Sequence, residues 1–116
     1  MNLEKIMKVS WRINELQFER GVFLEGDLNI AILDIQIENF TPESELELSF
    51  YNENEKKLYV QKKVNLQQNV KIKIPNEVLQ VPGQVFVRLT QKKGDSILQA
   101  TEEIYFYVVK KKIMNS

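Results

Sequence analysis

The side chains able to carry acid–base or covalent chemistry in this sequence are few and poorly placed for it. There is no histidine and no cysteine. That removes Ser-His-Asp and Cys-His nucleophile sets, thiol chemistry, and histidine-ligated zinc or iron. Carboxylate pairs of the kind glycoside hydrolysis uses remain open. Glu43, Glu45 and Glu47 form the densest acidic run, but a spacing of two puts them together on the solvent face of a strand whose Leu46 and Leu48 point inward. Glu102-Glu103 interrupts an apolar strand and turns one carboxylate toward its inner face, which a bulge or strand break explains better than a buried functional acid. Gly26-Asp27-Leu28-Asn29 offers two oxygen ligands at the spacing of a calcium-loop fragment. The distal glutamate of such a loop is missing, so a turn entering a strand is the better reading. The glycines are scattered and build no phosphate-cradling loop. The sequence therefore predicts a protein that is not an enzyme and has no metal or cofactor site.

Lys56, Lys57, Lys62 and Lys63 flank Leu58-Tyr59-Val60, a basic cluster with one aromatic that could contact single-stranded nucleic acid. The 16 basic residues are balanced by 16 acidic ones, so no general field draws nucleic acid or anionic lipid. The lysines read instead as guards of an exposed edge strand, and neither nucleic acid nor membrane is expected as a partner. The longest apolar run, Ile104–Val109, is far too short to span a bilayer. Met1–Lys5 lacks the apolar run of a secretory signal, and the absence of cysteine suits a reducing interior. The expectation is a soluble chain made in the cytoplasm.

These residues must be positioned by strands. Across 116 residues, period-2 alternation recurs with turn signals between, which predicts an all-β domain of seven to nine short strands over residues 1–109, with 110–116 as a tail or truncation point. A β-sandwich is the first choice and a small barrel the second. The clearest segment is Gly83–Val109. Folded about Lys93-Gly94, it sets Leu89 opposite Leu98, Val87 opposite Ala100, Arg88 opposite Gln99 and Phe86 opposite Thr101, which sorts apolar from polar pairs. Met7, Val9, Trp11 and Ile13 define a first strand. Leu16–Leu24 reads as a second, irregular strand or edge segment. Leu28–Glu38 changes phase, which predicts a bulge near Ile32-Leu33 or burial of both faces at its start. Asn39–Glu45, with Pro42, is a connection, and Leu46, Leu48 and Phe50 resume the alternation. Leu58, Val60, Val64 and Leu66 share one parity, with Lys62 intruding. Gln67-Gln68-Asn69 then predicts a three-residue hairpin loop, with Asn69 left-handed, Leu66 opposite Val70 and Val64 opposite Ile72. Pro75 ends that strand, and Ile74–Leu79 reads as a crossover with a helical turn.

The informative excess lies in the last strand. Ile104, Phe106 and Val108 continue the buried parity, yet Tyr105, Tyr107 and Val109 make the other face bulky too. Such a strand is covered twice within the protein or meets another chain. Tyr105, Tyr107 and Val109, with Phe86, are the candidate interface. Cover by the protein's own N-terminal segment, or cross-strand packing of the tyrosines, is the alternative.

Several of these features occur together in one family. They are Gly26-Asp27-Leu28-Asn29 entering a long apolar strand, Phe40-Thr41-Pro42, Ile74-Pro75 with Val78-Leu79, Gly83 opening Val85–Leu89, and a closing Thr101 followed by Ile104–Val108. Over about residues 20–109 the sequence resembles the N-terminal domain of baseplate upper proteins from tailed phages of Gram-positive bacteria. The resemblance implies an immunoglobulin-like antiparallel β-sandwich without catalytic residues. It also implies a virion tail component that attaches to the phage tail hub, works with receptor-binding components, and assembles as a homo-oligomer in symmetric copies. Members of that family continue into a helical linker and further domains, whereas this sequence ends at Ser116. A bacterial β-sandwich module binding a glycan or protein ligand, with Tyr51 and Tyr59 as its platform, is the alternative.

Overall fold

A computed structural model describes residues 4–12, 15–27, 30–38, 43–65, 67–100 and 103–110, without the side chains of residues 57, 59–64 and 98–100. Ten strands follow in chain order: β1 (Lys5–Arg12), β2 (Glu15–Phe18), β3 (Gly21–Leu24), β4 (Ala31–Ile37), β5 (Glu45–Asn52), β6 (Lys57–Asn65), β7 (Asn69–Lys73), β8 (Gly83–Lys93), β9 (Ser96–Ala100) and β10 (Ile104–Val109). They form two mixed sheets, one in the order β2-β1-β4-β7 and one in the order β3-β10-β8-β5-β6, with β9 also on β8. The β1–β4 and β3–β10 pairs are parallel and the others antiparallel. The only helical piece among the described residues is the 3-10 turn Asn76–Leu79 after Pro75, where the crossover was expected.

The sandwich follows from alternation. Met7, Val9 and Trp11 of β1, and Leu33, Ile35 and Ile37 of β4, meet Leu46, Leu48, Phe50, Val85, Val87, Leu89, Ile104 and Phe106 of the other sheet in one buried cluster. β1, β4, β5, β8 and β10 give this cluster every second residue, so polar neighbours such as Lys8, Gln36 and Arg88 face out. At the crossing between sheets, Gly21 fits tightly. A β-carbon there would lie 2.6 Å from Met7 Sδ and 3.0 Å from Phe106 Cβ.

Several expectations change. The irregular segment 16–24 is two strands in different sheets, each at an edge. The expected bulge at Ile32-Leu33 does not form. β4 keeps continuous register with β1 and β7, and Ala31, Ile32 and Leu33 are all buried, which is the both-faces alternative. Leu28 and Asn29 lie outside the described residues, as do Ile13, the Asn39–Pro42 part of the connection, Leu66, Thr101-Glu102 and 111–116.

The hairpin expected at Gln67–Asn69 is absent, because β6 pairs with β5 while β7 pairs with β4 in the other sheet. Asn69 is not left-handed but opens β7 opposite Gln36, and Gln68 O accepts the Ile37 N–H. Matching apolar faces cannot tell a hairpin from two strands facing each other across a core, since both place Val70 and Ile72 inward.

The β8–β9 hairpin is antiparallel as expected but lies in a different register. Lys93 pairs with Ser96 around Gly94-Asp95, with Gly94 at φ 61, and the ladder sets Thr90 opposite Ala100 and Gln91 opposite Gln99, with an irregularity at Gln91/Lys92. Val87 is opposite Ile104 of β10, and Phe86 is opposite Tyr105. Folding about Lys93-Gly94 leaves the polar stretch Gln91–Ser96 as the connection between the apolar pairs. In the structure Thr90 and Gln91 are 8% and 3% exposed, and Gln91 Nε2 donates to Ser44 Oγ at 3.1 Å, so hydrogen bonding draws polar residues into the ladder. Glu103 stands outside any strand just before β10, while Glu102, the other residue of the expected interruption, lies outside the described residues.

Candidate functional site

Residues directly opposite on neighbouring strands share a face of the sheet. On the outer face of the six-stranded sheet this register builds a row across four strands. Leu58 of β6 is opposite Tyr51 of β5, Tyr51 opposite Phe86 of β8, and Phe86 opposite Tyr105 of β10. Two residues along the strands, Tyr107 is opposite Val22 of β3, and beyond it Val109 is opposite Leu24. The four candidate interface residues, Phe86, Tyr105, Tyr107 and Val109, thus belong to one outward patch that also holds Tyr51, Leu58, Val22 and Leu24. Tyr51 is 38% exposed and Leu58 61%. Phe86, Tyr105 and Tyr107 are half-buried.

The segment between the sheets covers one end of the patch. The Phe18 ring stands edge-on to Tyr105 at 5.3 Å, and Tyr105 stands likewise to Tyr107 at 5.7 Å. The Arg20 guanidinium lies 5.1 Å above the Tyr107 ring. This is the N-terminal cover weighed as the alternative, and it reaches Tyr105 and Tyr107 but leaves Tyr51, Leu58 and Val22 exposed. Beside the row lies a groove of about 330 Å³, lined by Ser49, Tyr51, Leu58, Phe86, Arg88 and Glu103. It combines an aromatic floor with one cation and one anion.

Leu58 corrects an expectation, since its parity assigned it to the core. The register of β6 against β5 shifts between Leu46 and Leu48, so β6 has an extra residue where Lys62 intrudes. The phase that suits Val64 opposite Leu46 therefore sends Leu58 outward beside Tyr51. The intruding lysine was the signal for that shift. Tyr59, proposed beside Tyr51 as a platform, is opposite Phe50, and its side chain lies outside the described residues.

Two of the other candidate groups have structural partners. Asp27 Oδ2 accepts Lys5 Nζ at 2.7 Å and the Leu24 N–H at 2.7 Å, so this carboxylate closes a turn. Glu47 pairs with Lys92 at 3.0 Å, and Glu43 sits in a turn at φ 60. Among the described residues no cluster of three metal-ligating side chains occurs, and no helix is long and apolar enough to cross a membrane. On the four-stranded sheet, a cleft of about 670 Å³ is lined by Lys8, Ser10, Gln17, Glu19, Asp34 and Gln36 together with apolar residues of β1 and β2. Asp34 Oδ1 there is buried without a hydrogen-bond partner. That cleft has scattered polar groups and no aromatic row, so the six-stranded face is the stronger candidate for binding.

No protein-family model matches the sequence, and no curated protein matches it. Among solved structures the chain is similar to one described as the N-terminal domain of phage TP901-1 ORF48. The TM-score is 0.61 and the identity 10%, covering 89% of this chain and 97% of that one. At that identity the likeness shows a shared fold.

Proposed function

We propose that this chain is a structural, non-enzymatic domain of a phage tail or baseplate, carried in the virion and made in the host cytoplasm. It docks protein partners, the tail hub or neighbouring copies, through the outer face of the six-stranded sheet. The observation that carries this reading is a fold shared with a phage domain over 97% of that domain's length. The sequence resemblance to baseplate upper proteins points the same way. The docking face rests on the aromatic row, because contiguous apolar surface rimmed by polar groups marks protein-binding sites. Mass spectrometry of purified phage particles tests the assignment. Stoichiometric recovery of the chain with tail proteins supports it, and its absence from intact particles contradicts it.

A second reading is favoured by one observation, the exposed Tyr51 bordering a groove that also holds Arg88 and Glu103. An aromatic surface with hydrogen-bonding neighbours also suits a glycan, which would make this a bacterial binding module. A glycan array separates the two, since a blank array removes the sugar-binding reading and leaves the tail reading untouched.

A further inference from the structure

We propose that the occupant of this outer face is the same face of a second copy, related by a two-fold axis lying along the strands between β8 and β10. The inference rests on the reading of this face as the docking surface and supplies its partner.

Four charged side chains stand at the two ends of the patch. Arg88 and Glu103 line one end of the groove, and the β8–β10 register, extended one residue past Val87 opposite Ile104, brings Glu103 beside Arg88. At the other end Arg20 stands over Tyr107, and Glu53 adjoins Gln84, whose carbonyl accepts the Glu53 N–H. Arg88, Glu103, Arg20 and Glu53 are exposed, and none is ion-paired with another described residue.

A partner surface of one sign would gain at two of these charges and lose at the other two. A copy of the same face satisfies all four. Rotation about the stated axis exchanges the positions of β8 and β10 and sends the β5 side onto the β3 side. Arg88 then meets Glu103 of the second copy, Glu103 meets the second copy's Arg88, and Glu53 meets the side where Arg20 and Val22 lie. The same operation lays Phe86 against Tyr105 of the second copy. Phe86 and Tyr105 of the two copies then stack at the centre with opposite charges at the rim, which is the self-complementarity a two-fold interface requires.

Charge reversal tests this by sedimentation velocity from micromolar to millimolar concentration, with circular dichroism confirming that each variant folds. The wild-type chain is expected in monomer–dimer equilibrium. Arg88→Glu and Glu103→Arg should each weaken the dimer by at least about tenfold, because like charges then face each other. An equimolar mixture of the two variants should form a heterodimer, since every contact becomes complementary again. A wild-type chain that stays monomeric overturns the inference, and so does a mixture that fails to associate. Particle composition keeps the two proposals apart. A monomeric chain present in virions sinks only the second-copy inference, whereas a dimeric chain absent from virions sinks only the tail assignment.

Discussion

Asn52 shows how much of this fold depends on single polar side chains. It is 1% exposed. Its Oδ1 accepts the N–H groups of Asn54 and Glu55 at 2.9 and 3.2 Å, and its Nδ2 donates to Val81 O at 3.0 Å. One amide therefore closes the β5–β6 turn and ties it to the segment entering β8. Asn52→Ala removes three hydrogen bonds at a buried position and should cost about 2–4 kcal/mol, read as a lower urea midpoint at unchanged slope. Gly83 belongs to the same joint. Its φ is 146, and a β-carbon would lie 2.6 Å from Asn54 Nδ2, which donates to Pro82 O. Gly83→Ala is expected to lower stability by about 1–3 kcal/mol through backbone strain, with a matching fall in melting temperature. Neither role was legible in the sequence, where Asn52 opens the polar run Asn52–Lys57. Gln91 misled for the same reason. Residue type reports the preference for water, and a buried hydrogen bond overrides it without leaving a pattern.

Elements were more legible than their pairings. The alternation of Met7–Trp11, Leu46–Phe50, Val85–Leu89 and Ile104–Val108 places strands where β1, β5, β8 and β10 lie, because period 2 is a direct consequence of the pleat. Partner choice depends on the path of the chain between strands. At Gln67–Asn69 and at Glu19-Arg20 the chain crosses from one sheet to the other, and nothing in the local composition separates a crossing from a tight turn. The turn Glu25-Gly26-Asp27 has a job at this scale. By accepting the Leu24 N–H, and through the Asp27 N–H to Leu24 O at 3.0 Å, it occupies part of the free edge of β3. An apolar edge left open is a template for unwanted pairing. Asp27→Ala should cost about 1–2 kcal/mol and raise light scattering on heating, while Asp27→Asn, which keeps an acceptor, should recover part of the loss.

For the molecule as a whole, two sheets share one core and differ in what they present outward. The four-stranded sheet presents mixed polar side chains, with Lys8, Gln36, Lys71 and Lys73 among them, whereas the six-stranded sheet presents Leu58, Tyr51, Phe86, Tyr105, Tyr107, Val22, Leu24 and Val109. Half of that patch, Phe86 with Tyr105, Tyr107 and Val109, was visible as an apolar excess on both parities of strands that needed only one. Tyr51 was legible as an outward aromatic, whereas Leu58, Val22 and Leu24 were hidden by the shift in β6 and by the sheet exchange at β3, which fix facing only once pairing is known. The most direct trial of the account is incorporation into phage tails, measured by quantitative mass spectrometry of purified particles for wild type, Tyr51→Asp and Lys71→Glu. Both substitutions are at exposed positions, one on each outer face. Wild-type levels are expected for Lys71→Glu, and a loss of about tenfold or more for a folded Tyr51→Asp. Tyr51→Asp incorporated as well as wild type, or Lys71→Glu excluded instead, would contradict it.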